Sequence, residues 1–321
     1  MQHKILFIDT AHPLLREELE KEGFQCDYFP QYHSLEQYKE IIDDYTGVII
    51  RSKIKLDKEI LSQARKLKFI GRVGAGMENI DVQYASRRGI ICLNAPEGNR
   101  DAVGEHALGM LLALFNNIVK ADAEVRRGIW LREENRGLEI GGKTIGIIGF
   151  GNTGSAFAKK LQGFGCDILA YDKYKSGFGN TFVREASLDE IFRKAYVVSL
   201  HVPLTHETEY LVDDTFIHNF KNSIYLINTS RGKVVNTAHL VEALEKGKVK
   251  GACLDVLEYE GLSFENLNNE NLPLPFRKLA GMQNVVLSPH IAGWTHESHY
   301  KLALTLVNKI KEILKNTYGN T

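Results

Sequence analysis

Thr144-Ile-Gly-Ile-Ile-Gly149-Phe-Gly151-Asn152-Thr153-Gly154 decides the fold class. A short apolar run of strand character leads directly into G-x-G-x-x-G, and a helix-compatible stretch, Ser155–Phe164, follows. In that setting Gly149 permits a tight turn and Gly151 lets the backbone approach a pyrophosphate. Gly154 lets the helix pack close to the strand, and the helix N-terminus offers N–H donors to the phosphates. With 28 glycines in the chain the spacing alone is weak, so its context matters. A second strand-like run, Asp167–Tyr171, ends at Asp172, where a carboxylate can accept from both hydroxyls of an adenosine ribose. The same carboxylate repels a 2′-phosphate, which predicts NAD over NADP, although Lys173 and Lys175 soften that discrimination.

Outward from this motif, short β-branched runs alternate with amphipathic segments almost throughout, the pattern of an α/β fold with parallel sheets. Downstream the runs are Thr144–Ile148, Ile168–Tyr171, Tyr196–Leu200, Ile224–Ile227, Gly251–Leu254 and Val285–Leu287, enough for a doubly wound nucleotide-binding sheet. Upstream they are Ile5–Ile8, Cys26–Phe29, Val48–Ile50, Phe69–Ile70 and Ile90–Leu93. Between the sets, Asp101–Arg127 is expected to be one long helix capped by Asp101. The periodic Glu297–Lys315 is expected to be a closing amphipathic helix. Two domains follow, one of residues 1–100 and 294–321 and one of residues 101–293.

Composition narrows the function classes. Forty basic residues balance 40 acidic ones, which argues against a nucleic-acid or polybasic membrane binder. The longest apolar run, Ala107–Phe115, is too short to span a bilayer, and the N-terminus lacks a signal-peptide pattern. The four cysteines lie far apart with no C-x-x-C pair, so a cytoplasmic chain with reduced thiols and no metal site is expected.

Three later strands run into polar residues at the sheet edge where ligands bind in open α/β folds. Arg231 follows Ile224–Ile227, several carboxylates including Glu258 and Glu260 follow Gly251–Leu254, and His290 follows Val285–Leu287. Arginine binds a carboxylate bidentately, histidine exchanges a hydroxyl proton near neutral pH, and a carboxylate orients the histidine. That set suits hydride transfer at a hydroxyl-bearing carbon.

The segments taken together resemble the D-isomer-specific 2-hydroxyacid dehydrogenase family, and within it the D-3-phosphoglycerate dehydrogenases. The likeness covers nearly the whole chain. It runs through Gly71-Arg-Val-Gly-Ala-Gly-Met-Glu-Asn-Ile-Asp81, Asn94-Ala-Pro96, Glu105-His106, Gly128-Ile-Trp130 and the glycine motif. It continues in His201-Val-Pro-Leu-Thr205, Asn228-Thr-Ser-Arg231-Gly232, Leu254-Asp255-Val256 and Ser288-Pro-His290-Ile-Ala-Gly293. The resemblance implies Arg231, Glu260 and His290 as catalytic residues and prefers Glu260 to Glu258. It implies that Asp255 contacts the nicotinamide carboxamide, and that Val202, Pro203, Thr229 and Ser230 line the cofactor. Gly74, Ala75 and Gly76 would offer amides to the substrate carboxylate. The implied architecture is a Rossmann NAD-binding domain inserted into a flavodoxin-like substrate domain, in a homodimer built largely on the long helix.

Departures from the family pattern are Gly261 where proline usually follows the glutamate, an apparent insertion at 262–276, and Glu78 in place of Asp. A short form without a regulatory domain is expected. Arg51 and Arg72 both follow upstream strands, and two guanidiniums can bind a phosphate. This favours 3-phosphoglycerate, and so serine biosynthesis, over glyoxylate, hydroxypyruvate or D-lactate-type substrates. The expected partner is thus a small 2-hydroxy or 2-keto acid. An NAD-sensing binding protein is the alternative from another class, and Trp294 stays undecided between lining a site and packing.

Overall fold

Ile5 and Phe7 are buried in one apolar cluster, whereas Leu6 and Ile8 are buried in another. Val48 and Ile50 separate from Ile49 in the same way. Strands that are apolar on both sides belong in parallel sheets covered on both faces, and that is what forms. The computed structural model describes residues 3–29, 31–261 and 272–318. The chain divides into two units, Met1–Asn99 with Trp294–Thr321, and Arg100–Gly261 with the stretch ending at Gly293.

The first unit runs β1 (Lys4–Phe7), α1 (Pro13–Lys21), β2 (Gln25–Tyr28), α2 (Leu35–Ile41), β3 (Gly47–Ile50), α3 (Lys58–Gln63), β4 (Phe69–Arg72), α4 (Val82–Arg87) and β5 (Ile91–Asn94). Its parallel strands are ordered β2-β1-β3-β4-β5, the flavodoxin-like arrangement. Side-chain caps start the helices: Ser34 and Gln37 close a capping box on α2, and Asp57 and Asp81 cap α3 and α4.

The boundary between units falls within α5 (Pro96–Phe115), which is followed by α6 (Ile118–Val125). The expected single helix over Asp101–Arg127 is therefore corrected at both ends. Pro96 fits the first helical position without loss of a hydrogen bond, so the helix begins before Asp101, which lies inside it rather than at its cap. Asn117 then adopts a left-handed φ of 53°, a conformation asparagine tolerates, and α5 and α6 meet at 58°.

The second unit continues with β6 (Thr144–Ile148), α7 (Asn152–Lys160), β7 (Asp167–Tyr171), β8 (Arg184–Glu185), α8 (Leu188–Lys194), β9 (Val197–Leu200) and α9 (Asp214–His218). It ends with β10 (Ile224–Asn228), α10 (Thr237–Glu245), β11 (Val249–Leu254), α11 (Leu274–Ala280) and β12 (Val285–Leu287). The parallel sheet is ordered β12-β11-β10-β9-β6-β7-β8. Counted from β6 this is the Rossmann order with β12 added, and the strand order reverses between β6 and β9, the switch point where such sheets bind ligands. Two-residue β8 is too short to leave a periodic signal in sequence.

The last helix, α12 (His296–Tyr318), returns to the first unit, where Leu302, Ala303, Leu306, Val307 and Ile310 pack with Leu15 and Leu19 of α1. Among the described residues no single helix is long and apolar enough to cross a membrane. The four cysteines are unpaired, and burial pushes the Cys26 thiol up to about 12. The apparent insertion at 262–276 lies largely outside the described residues; its last three residues open α11.

Candidate active site

β6 delivers the chain to the glycine turn at the switch point. Gly149 has a φ of 92°, and a Cβ there would stand 2.4 Å from the His201 carbonyl oxygen, so only glycine fits. A Cβ on Gly154 would lie 2.1 Å from the Gly149 carbonyl oxygen, which is the close helix–strand approach the motif predicts. Gly151 caps α7 without a side-chain bond, and nothing stands within 4 Å of where its Cβ would be. The open space over the first turn, at Asn152 and Thr153, suits a pyrophosphate.

Asp172, at the end of β7, accepts from the Phe150 N–H at 2.8 Å and from the Tyr174 and Lys175 N–H groups at 2.9 and 3.1 Å. It ties the glycine turn to the end of the neighbouring strand, where the sequence expects a ribose-binding carboxylate. The Lys173 ammonium, which could have attracted a 2′-phosphate, pairs with Glu207 at 2.8 Å.

Val202 and Pro203 follow β9, and Val202 Cγ1 comes within 3.1 Å of the Gly149 Cβ position. The preceding His201 is buried between Ser199 Oγ at 2.8 Å and Thr153 Oγ1 at 3.2 Å. Burial pushes its imidazole down to about 3. At the end of β10, the buried Asn228 accepts from the Ser230 N–H and hydroxyl at 3.0 and 2.7 Å and donates to the Arg231 carbonyl at 2.9 Å. The Thr229 hydroxyl is buried without a hydrogen-bond partner. An orphaned buried hydroxyl beside the switch point is the feature a bound dinucleotide would satisfy.

Arg231 donates from Nη1 to the Ser230 carbonyl at 2.7 Å. Its neighbour Gly232 packs backbone to backbone, with a Cβ position 1.9 Å from the Leu257 carbonyl oxygen. That contact joins the arginine turn to the loop after β11. In this loop Glu258 accepts from the Thr237 N–H at 2.9 Å and from the Tyr210 hydroxyl at 2.9 Å, so it serves the start of α10. Glu260 instead meets His290, with Oε2 2.7 Å from Nδ1, and its Oε1 accepts from the Leu257 N–H. Both partners are largely buried. One cluster of loops therefore carries Arg231, Glu260 and His290.

Asp255 holds this cluster in place. Its carboxylate, 1% exposed, accepts from Ser288 Oγ at 2.6 Å, the Ile291 N–H at 2.9 Å and the Ala292 N–H at 2.8 Å. His106 Nε2 of α5 lies 2.9 Å from Ser288 Oγ and 3.4 Å from Asp255 Oδ1. Burial alone would raise the Asp255 pKa, but the hydrogen bonds from His106, Ser288 and the two amides outweigh it and hold the carboxyl below its usual range. His106, Ser288 and Asn228 lie in segments that carry the resemblance, yet the sequence assigns them no role. His106 stands 182 positions before Ser288, and no local spacing announces such a partnership.

In the first unit, Arg72 pairs with Ile50 in the β3–β4 register, and Arg51 follows Ile50, so both arginines leave one sheet edge. The Arg72 guanidinium occupies the space a Cβ on Gly74 would need, with Nη1 1.4 Å from that position. The Gly74 N–H turns back onto the Arg72 carbonyl at 2.9 Å, so this expected amide is engaged within the chain. Asn94 Nδ2 donates to the Ala75 carbonyl at 2.6 Å and pins the loop leading to Gly76. Arg51 stacks on the indole of Trp294.

One consequence for stability follows from His201. The folded protein takes up this proton only near pH 3, whereas the unfolded chain does so near 6.5. Between these values the unfolded state binds more protons, so the contribution is complete above about pH 6.5 and is lost as pH falls. Denaturant unfolding from pH 7 to 4 should show a shallower acid loss for His201→Asn than for the parent chain; equal slopes would contradict this account.

The profile for the D-isomer specific 2-hydroxyacid dehydrogenase, NAD binding domain, matches residues 108–292. D-3-phosphoglycerate dehydrogenase of Archaeoglobus fulgidus is 34% identical over 311 residues, which cover 95% of this chain and 57% of that protein. The chain thus spans little more than half of that relative's length. Hydroxypyruvate reductase of Thermotoga maritima is 36% identical over 275 residues, covering 86% of this chain and 87% of that protein. The crystal structure of D-lactate dehydrogenase from Aquifex aeolicus, complexed with NAD and lactic acid, superposes with a TM-score of 0.83 at 29% identity. It covers 97% of this chain and 96% of that one. The glycine turn, the Asp172 carboxylate and the orphaned Thr229 hydroxyl fit the same cofactor, NAD. The chain belongs to the D-isomer specific 2-hydroxyacid dehydrogenase family.

Proposed function

We propose that this chain transfers hydride reversibly between NAD and a D-2-hydroxy acid, with 3-phosphoglycerate and 3-phosphohydroxypyruvate as the preferred pair. The observation that carries the chemistry is the 2.7 Å contact between His290 Nδ1 and Glu260, in the loop cluster that also bears Arg231. A carboxylate accepts, so Nδ1 carries the hydrogen toward Glu260, and proton exchange with the substrate oxygen is assigned to Nε2. When bound, the cofactor would supply the hydride acceptor as NAD+ in oxidation and the hydride donor as NADH in reduction. Arg231 grips the acid's carboxylate through its planar fork, which fixes the reacting carbon. In oxidation His290 removes the hydroxyl proton as hydride departs; in reduction it returns a proton to the carbonyl. Glu260 holds the ring in the useful tautomer. The glycine turn with Asn152 and Thr153, Asp172, Val202, Pro203, Thr229, Ser230 and Asp255 are assigned to the cofactor. Ala75 and Gly76 are assigned to the substrate carboxylate, since the Gly74 N–H already serves the Arg72 carbonyl, with Arg51 and Arg72 assigned to its phosphate.

A general acid or base contributes on the order of 10²–10⁴-fold. His290→Ala should lower kcat at least that far while NADH binding, followed by fluorescence, persists. Near-normal turnover would remove His290 from the reaction. Arg231→Lys should also be poor, because a point charge replaces the fork.

The two arginines at one sheet edge favour a substrate with a second anionic group. The second reading is an unphosphorylated acid, favoured by the likeness to a hydroxypyruvate reductase of comparable length. NADH oxidation with 3-phosphohydroxypyruvate, hydroxypyruvate, glyoxylate and pyruvate decides between them. A higher kcat/KM for any unphosphorylated acid would overturn the phosphate assignment, and NAD binding without turnover on any acid would favour a sensor. With the phosphorylated pair the reaction would serve serine biosynthesis, in a cytoplasm that keeps the thiols reduced.

A homodimer is part of the same proposal. The apolar face of α5 is largely spent on its own unit's core through Ala107, Met110, Leu111 and Phe115. Exposed apolar side chains instead sit on α6 and just after it, at Ile118, Val119, Val125, Ile129, Trp130 and Leu131. Light scattering should find a dimer for the parent chain and a monomer for Val119→Glu with Trp130→Glu; a monomeric parent chain would refute it.

A further inference from the structure

We infer that Trp294 is a positioning residue for Arg51, and through it a determinant of selectivity for a substrate with a second anionic group. This rests on the phosphate reading of Arg51 given under Proposed function. The guanidinium carbon of Arg51 lies 4.1 Å from the centroid of the Trp294 ring. A guanidinium has two kinds of surface. Its flat face stacks on aromatic rings, while its N–H donors lie in the plane, along the edge that matches phosphate or carboxylate oxygens. Stacking on the face fixes the plane of that edge without using its donors.

Both ends of this arrangement are anchored. The Arg51 N–H donates to Asp9 Oδ2 at 2.6 Å, and the Lys53 N–H reaches the same oxygen at 3.2 Å, so the base of the arginine is held at the end of β3. Trp294 stands just before α12, where Thr295 and Ser298 exchange backbone-to-side-chain hydrogen bonds at 3.0 Å each way. The indole is 64% exposed. An exposed tryptophan adds little to a core, and this one carries the Arg51 cation over its ring.

The surroundings suit an anion. His12 faces His299 at 5.3 Å and Tyr300 at 5.4 Å between ring centroids. Burial, and then the charges of His12, Arg51 and His296, hold the His299 imidazole below its ordinary range. Held in its neutral form, the His299 imidazole still offers one N–H donor to an anion.

The test compares KM and kcat for 3-phosphohydroxypyruvate and hydroxypyruvate in the full-length parent chain, Trp294→Leu, Trp294→Phe and Arg51→Gln. Trp294→Leu should raise KM for the phosphorylated acid by about 3- to 10-fold, with kcat and the hydroxypyruvate KM nearly unmoved. Trp294→Phe, which keeps an aromatic face, should recover most of that loss. No change, an equal change on both acids, or no recovery with phenylalanine while Arg51→Gln still discriminates, would overturn the positioning role and leave the phosphate reading standing. If Arg51→Gln affects both acids equally, the phosphate reading itself fails, and the role of Trp294 falls with it.

Discussion

A carboxylate removed from water must be repaid by donors, and Asp255 shows where that requirement leads. Left unpaired at 1% exposure, such a charge would cost several kcal/mol. Here the Ser288 hydroxyl and the amides of Ile291 and Ala292 converge on it, with His106 beside them. The Asp255 carbonyl also receives the His290 N–H at 2.7 Å. Those bonds bracket His290, which sits at φ 55°, a left-handed conformation worth roughly 1–2 kcal/mol of strain for a non-glycine residue. Hydrogen bonds to a charged group contribute about 1.5–3 kcal/mol each, so the donors that offset the buried charge also hold the strained turn in place. The unusual backbone that aims the imidazole is a consequence of satisfying the buried acid.

The remaining site geometry depends on backbone meeting backbone. Gly232 lies against the Leu257 carbonyl, and Gly149 lies against that of His201. At both positions any side chain would separate two loops whose spacing the site requires. Proximity of this kind is rigid in a way that contacts between long side chains are not, because it moves only when the sheet moves. Glu258 and Glu260 show the result. They lie two positions apart on one loop, yet one is committed to the N-terminus of α10 and the other to His290.

Much of this was legible before any coordinates, and the reasons are physical. Short β-branched runs and glycine spacing are local signals, so the strands, the dinucleotide turn and Asp172 stand out in the primary chain. Arg231 and His290 were candidates because parallel sheets present ligand-facing residues directly after strands, whereas the preference for Glu260 over Glu258 came from the family resemblance alone. The start of α5 was missed because Pro96 and Glu97 open it in a segment of ordinary loop character, while Asp101 offered a more familiar cap. The break at Asn117 was missed because apolar spacing continues across it into Ile118. His106, Ser288 and Asn228 act through tertiary contacts, and their types are equally at home on any surface.

The two units also differ in how they hold their functional groups. In the second unit the groups assigned to chemistry are fixed by buried partners and backbone hydrogen bonds, as proton transfer demands, since a small misplacement is costly there. In the first unit Arg51 and Arg72 are long side chains whose tips rest on an indole face and over a glycine. Such tips can be re-aimed by changing one neighbouring residue without disturbing a strand. Under the proposed assignment of Arg51 and Arg72, a family with members named for lactate, hydroxypyruvate and phosphoglycerate would keep its chemistry in backbone-fixed groups and leave the choice of acid to half-buried side chains.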